Sequence, residues 1–132
     1  KGEISPQRPT LVRVHVQNTL CDLFESTRDC GWPLRRVMDQ VQQAGEGVIV
    51  VLRNYDTARD IVHRIQDYKW HGVDDRIPER KQSDDDDLRT IGVGAQILAD
   101  LGVRKMRVMS APKHLHALAG FDLEVVEFVD TQ

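Results

Sequence analysis

GVIVVL, Gly47 to Leu52, is the stretch that decides the fold. It is an unbroken apolar run of strand length, and no polar residue alternates within it. A strand that shows water on one face alternates apolar and polar residues; a strand buried on both faces does not. Strands buried on both faces belong to parallel sheets covered by helices. The run therefore predicts a strand buried on both faces of an α/β sheet, with helical segments on either side of it in the chain.

The flanks supply those helices. Upstream, Leu34, Val37, Met38 and Val41 recur at helical spacing and make one apolar face. Pro33 suits the first turn of that helix and Gly45 its C-terminal stop. Before it, LVRVHV (Leu11 to Val16) alternates as a strand. Downstream, a helix is expected from about Thr57 to Tyr68, with Ala58, Ile61, Val62, Ile65 and Tyr68 on one side. WHGVDDRIPERKQSDDDD (Trp70 to Asp87) is polar and carries four consecutive aspartates. It reads as a mobile loop of a length that is usually functional or disordered. Helix returns near Asp87 and runs to Leu101, closed by Gly102. Gly92 and Gly94 lie inside it, at roughly 1 kcal/mol each relative to Ala, so close packing or a backbone approach is expected there. KMRVM (Lys105 to Met109) is a strand, SAPKHLHALAG (Ser110 to Gly120) a short helix, and LEVVEFV (Leu123 to Val129) the last strand. Strands alternating with helices give the fold class: a single α/β domain over residues 1–132, its sheet mostly parallel, with helices on both faces.

The bulk numbers agree. A chain of 132 residues with 40% hydrophobic and 30% charged residues suits one soluble core. A net charge of −3 gives no general pull toward nucleic acid or an anionic membrane, and no apolar run is long enough to cross a bilayer. Two cysteines are too few for a disulfide framework, which makes an intracellular, reducing location the default.

Three features could carry chemistry. Cys21 and Cys30 stand nine apart in NTLCDLFESTRDCGWPL, without a CxxC or HxxxH to complete a zinc site. The favoured reading is two ordinary buried or half-buried thiols. The run Asp84 to Asp87 could take Mg²⁺ or Ca²⁺, though a solvated charge run is the commoner account. At its end, Asp87 stands at a helix start, where the dipole favours an acid in any case. Ser110, followed by Lys113, lies where a strand enters a helix, a place whose free N–H groups suit a phosphate.

Four segments resemble GTP cyclohydrolase II, the enzyme that opens GTP at the first step of riboflavin biosynthesis. They are LVRVHVQNTLCDLFESTRDCG, EGVIVVLR, DLRTIGVGAQILADLGVRKMRVMSAP and ALAGFDLEVVEFV, in the family's order and covering most of the chain. The resemblance implies an α/β fold and a catalytic zinc held by three cysteines. Asn18 stands at the first of those positions. The family's Arg-Cys-Asp-Cys-Gly is shortened to Arg28-Asp29-Cys30-Gly31, so Cys30 is the only ligand match in register, and Cys21 falls where the family has glycine. The substrate loop Arg-Gln-Glu-Gly-Arg-Gly-Ile-Gly has become Arg53-Asn54-Tyr55-Asp56-Thr57-Ala58-Arg59-Asp60, which keeps Arg53 and loses the rest. The glutamine after the cysteine motif is Pro33, and Thr-Asn-Asn-Pro is reduced to Ser110-Ala111-Pro112.

Other positions persist. By resemblance, Tyr68 matches the active-site tyrosine, Asp87 the proton acceptor and Arg89 the nucleophilic arginine. Arg53, Ser110 and Lys113 remain as candidate substrate contacts. The resemblance implies a cytoplasmic, degenerate GTP cyclohydrolase II-like domain with little or no ring-opening activity and no bound cofactor. Zinc and magnesium would be needed if the activity survives. The family domain often follows a 3,4-dihydroxy-2-butanone 4-phosphate synthase domain in one chain, and the KGEI start resembles the interior of the family domain. The expectation is a piece lacking the family's N-terminal part, forming a homodimer and serving the upstream synthase domain structurally or by regulation. Two alternatives stand beside it: a working enzyme that cleaves GTP, or a module that senses GTP or a related nucleotide without turnover.

Overall fold

The computed structural model describes residues 1–28, 30–53, 55–70, 84–111 and 116–130; at residues 70, 84–88, 116, 117 and 119 only the backbone is described. Four strands form one parallel sheet: β1 (Thr10–Val16), β2 (Val48–Leu52), β3 (Lys105–Met109) and β4 (Glu124–Val129). Their order across the sheet is β2-β1-β3-β4. The α/β fold with helices on both faces is as the sequence predicts.

Each helix starts and stops for a local reason. The four-residue α1 (Thr19–Asp22) is capped by the Asn18 side chain. Helix α2 (Leu34–Ala44) begins after Pro33, whose extended φ and ψ set its entry, and ends at Gly45 with φ 78°. That left-handed conformation suits glycine, and its N–H closes on the Val41 and Gln42 carbonyls. Helix α3 (Ala58–Trp70) opens on a reciprocal box. The Asp60 N–H donates to Thr57 Oγ1, while the Thr57 N–H and hydroxyl donate to Asp60 Oδ2. Helix α4 (Asp84–Asp100) starts three residues earlier than predicted. The aspartate run is its first turn, where negative charge meets the positive end of the helix dipole. The loop expected over Trp70 to Asp87 is corrected at both ends, since Trp70 closes α3 and Asp84 to Asp87 open α4; its middle, residues 71–83, lies outside the described residues.

Two apolar clusters hold the layers. Leu11, Trp32, Val37, Val41 and Met109 join α2 to one face of the sheet. Val12, Val48, Val50, Ala95, Leu98, Val103, Met106, Leu118 and Leu123 join α4 and a 3-10 turn (His116–Phe121) to the other. Gly94 is the point of closest approach between α4 and the sheet, where a Cβ would lie 2.8 Å from both methyls of Val14. Gly92 has nothing within 4 Å of that position among the described residues.

A further expectation is corrected. GVIVVL is not buried on both faces: Val48 and Val50 are buried, but Val51 is 43% exposed, and β2 lies at an edge of the sheet formed by the described residues. Strand β1 pairs with β2 on one side and β3 on the other. On α3, Val62 is 51% and Ile65 43% exposed. Among the described residues no helix is long and apolar enough to cross a membrane.

Candidate functional site

The site candidates gather beyond the C-terminal ends of β1 and β2, around α1 and the loop that joins it to α2. His15 and Arg13 point from β1 to the same side as Leu11, because residues two apart share a face of a strand. His15 is 4% exposed. Its Nε2 lies 2.8 Å from Asp22 Oδ2. The same carboxylate accepts from the Asn18 N–H at 2.8 Å and, through its other oxygen, from the Leu34 N–H at 2.9 Å. Pro33 offers α2 no side-chain cap, so Asp22 fills that role from α1. One carboxylate thus ties the end of β1, α1 and the start of α2 together.

Burial works to raise the Asp22 pKa, but it is outweighed by the Asn18 N–H, His15 and the Leu34 N–H, which together hold it below the usual carboxylate range. Arg13 donates to the Met109 carbonyl, linking β1 to the end of β3. Burial lowers the pKa of its guanidinium, and the charge of Asp22 partly opposes that.

Cys21 and Cys30 form a disulfide, S–S 2.08 Å with Cα atoms 5.9 Å apart. The expectation of two free thiols is therefore corrected. Cys21 is buried in α1 and Cys30 is half-buried. Both face an open pocket of about 420 Å³, whose walls include Asp22, Arg28, Arg35 and Arg36. The Arg28 guanidinium lies 4.1 Å from the centre of the Tyr68 ring, and that of Arg36 lies 5.8 Å from the Trp32 ring. Arg35 pairs with Glu25 at 2.7 Å.

A zinc ion does not fit these residues. Zinc in a protein takes three or four thiolate, imidazole or carboxylate donors. The sulfur of Cys30 is consumed in the disulfide. The Asn18 oxygen accepts from the Leu20 and Cys21 N–H groups as the cap of α1. Among the described residues, no three His, Cys, Asp or Glu side chains gather where they could hold a metal.

The loop after β2 is organised around Asp56. Its side chain is 3% exposed and accepts two bonds from Arg64 of α3, at 2.7 and 3.1 Å, and one from the Thr19 hydroxyl at 3.2 Å. Arg53 stays at the surface with its guanidinium 5.1 Å from the Tyr55 ring centre. Sequence reasoning gave no role to Asp56, Arg64 or Asp22. Arg64 follows Asp56 by eight residues across a turn, a distance at which no helix-surface rule pairs charges.

The remaining candidates are scattered. Tyr68 is half-buried under Arg28. Arg89 is exposed on α4, and among the described residues no hydrogen bond or ion pair joins it to Tyr68. The backbone of Asp87 lies in the first turn of α4, and its side chain is outside the described residues. Ser110 and Ala111 are not helical, and the 3-10 turn His116–Phe121 follows residues 112–115, which lie outside the described residues. The Ser110 hydroxyl donates to the Ala111 carbonyl at 2.9 Å. Lys113 lies outside the described residues.

Comparison with known proteins then decides the kinship. A model of the GTP cyclohydrolase II family matches residues 1–130. The chain belongs to the GTP cyclohydrolase II family. It is similar to the 3,4-dihydroxy-2-butanone 4-phosphate synthase of Pseudomonas aeruginosa, 37% identical over 131 residues, covering 99% of this chain and 34% of that protein. It is 37% identical over 136 residues to the riboflavin biosynthesis protein RibBA of Bacillus cytotoxicus, covering 100% and 34%. A synthase of Photobacterium phosphoreum is 36% identical over 130 residues, covering 98% and 34%. The chain thus spans about a third of the length of these relatives. Two of the three carry the name of the synthase alone, although the matched portion is a GTP cyclohydrolase II region here.

Proposed function

We propose that this is a catalytically retired GTP cyclohydrolase II domain of a riboflavin biosynthesis protein, kept for the synthase domain that precedes it in the same chain. The single observation that carries the reading is the fate of the metal loop. Cys30, the one zinc ligand in register, is bonded to Cys21, and Asn18 serves as a helix cap. Opening a purine ring by hydrolysis requires an activated water, and the family activates it with zinc. The substrate loop supports the same reading. Its glycines and second arginine are gone, and Asp56 and Arg64 now bind each other. No step is assigned here to Tyr68, Asp87 or Arg89.

The role we assign is structural or regulatory, in the cytoplasm, within a homodimer. Exposed apolar residues, Val93 and Ile97 on α4 and Leu101 in the turn just past its end, suit burial against a second copy. The decisive test is product formation from GTP by the full-length protein with excess Zn²⁺ and Mg²⁺. The expected result is no formate and no diaminopyrimidine above the blank. Stoichiometric product would sink the reading. The structural role has its own test, in which deletion of residues 1–132 lowers the stability or turnover of the synthase domain. Unchanged synthase behaviour would refute it.

A further inference from the structure

The cysteine pair does more than mark a lost metal site. We propose that Cys21 and Cys30 form a redox modification site, a dithiol–disulfide couple exchanged with small anionic thiols through the pocket that both sulfurs face. The proposal rests on the reading above that these cysteines no longer serve zinc.

Four observations carry it. First, the two residues are bonded, Cys21 to Cys30, in a fold with no other cysteine to compete. Second, the bond lies against open space. Both cysteines line the pocket of about 420 Å³, which is the route of approach the proposal assigns to a small reagent. Third, the rim carries Arg28, Arg35 and Arg36. Of the acids on the same wall, Asp22 is committed to His15, Asn18 and Leu34, and Glu25 to Arg35; Asp39 is the third. Arg28 and Arg36 rest on aromatic faces, and among the described residues no ion pair joins either to a carboxylate, which leaves donors for an anionic reagent. Fourth, the bond controls something. It closes the loop that bears Leu23 and Phe24, 70% and 63% exposed, and that places Arg28 on Tyr68 of α3. Besides the bond, that loop is fastened by backbone hydrogen bonds of Leu23 and Phe24 to Thr19 and of Ser26 to Leu20, by the surface ion pair of Glu25 with Arg35, and by the Arg28 contact with Tyr68.

The chemistry balances as thiol–disulfide exchange. In the oxidising direction a low-molecular-weight disulfide is attacked by one cysteine sulfur, and one of its halves leaves as a thiol. The second cysteine sulfur then attacks the mixed disulfide and releases the other half. One S–S bond forms in the protein and one is lost from the reagent. The two protons and two electrons of the cysteine thiols end on the two reagent thiols. In a reducing compartment, disulfides that do form are usually transient or sensing ones.

The test uses the full-length protein in glutathione buffers, read by intact mass and by deuterium exchange. With oxidised glutathione, the mass is expected to fall by two hydrogens, with no retained adduct. A small dithiol is expected to restore those hydrogens without denaturant. On reduction, the amides of residues 22–28 are expected to exchange roughly tenfold faster or more. The Cys21→Ser/Cys30→Ser variant is expected to exchange at the fast rate whatever the buffer. Two thiols that resist oxidation, a stable glutathione adduct, or a bond reducible only after unfolding would each overturn the proposal. So would equal exchange in both states. One equivalent of zinc held by the reduced protein would overturn it too, and GTP turnover measured on that zinc form would show whether the retired-domain reading falls with it.

Discussion

Asp22 holds three donors on two oxygens, and its weight in the fold exceeds that of any residue the sequence singled out. Asp22→Asn keeps one acceptor and turns the other into a donor facing His15 or a backbone N–H. We expect a loss of about 2–4 kcal/mol, since charged hydrogen bonds are worth roughly 1.5–3 kcal/mol each and a buried orphan donor adds to the loss. Urea unfolding at pH 7 measures it. The pH dependence has a definite sign. The folded-state pKa of Asp22 is depressed, so its contribution is complete above the ordinary carboxylate pKa and is lost as pH falls through the lower folded value. The wild-type curve is expected to drop on acidification below about pH 4, with the Asn variant flatter over that window. A parallel slope in both would remove Asp22 from the account.

The two glycines of α4 make a second residue-scale contrast. Both were legible as anomalies in a helix, but not which one mattered. Gly94→Ala puts a methyl against the stiff, β-branched Val14 of the central strand, and we expect it to destabilise by about 1–3 kcal/mol. Gly92→Ala meets nothing among the described residues and is expected to stabilise by about 0.5–1 kcal/mol. Thermal melts of the two variants should move in opposite directions.

At the scale of elements, the strands, the two long helices after them and the capped ends were readable because each rests on short-range rules. Periodicity set α2, and Gly45 its end. The Thr57–Asp60 box set the start of α3. We expect Thr57→Ala to cost about 1 kcal/mol locally. With Val62 and Ile65 exposed, α3 is weakly anchored, so the loss should appear as faster amide exchange at Asp60 and Ile61 before it appears in the global melt. Equal exchange in both proteins would mean that α3 opens only with the whole domain. The misreading of GVIVVL as buried on both faces has a physical reason. An apolar run does not tell full from partial cover, and an edge strand covered by α4 on one face and only partly by α2 on the other leaves Val51 exposed. Strand order is a long-range property that no local pattern encodes.

For the whole molecule, the family was legible in local stretches such as residues 11–31, because its motif text is local. The contacts these residues make were not. The Cys21–Cys30 bond needs α1 to turn the chain back on itself. The Asp56–Arg64–Thr19 cluster needs three elements to meet. The bond closes a short loop, and the chain-entropy estimate for a loop of that size is roughly 2–3 kcal/mol. In a domain of this length that corresponds to a fall in melting temperature of roughly 6–15 °C on reduction, checked by paired melts with and without a phosphine reductant. A melt indifferent to reductant would mean that the bond adds nothing to the native state.

The strand order β2-β1-β3-β4 also has a consequence in time. Strand β1 leaves the ribosome first, and β2 gives it a neighbour within one helical excursion. Its other side, Thr10 to Val12, must wait for Met106 to Val108. At roughly 5–20 residues per second, the stretch from Leu52 to Met106 takes roughly 3–11 s to synthesise. Throughout that interval the nascent chain presents an unpaired inner backbone flanked by Val12 and Val14. The middle of the finished sheet is thus its most vulnerable part during birth, and stalled or truncated chains ending before residue 105 are the natural clients of a chaperone.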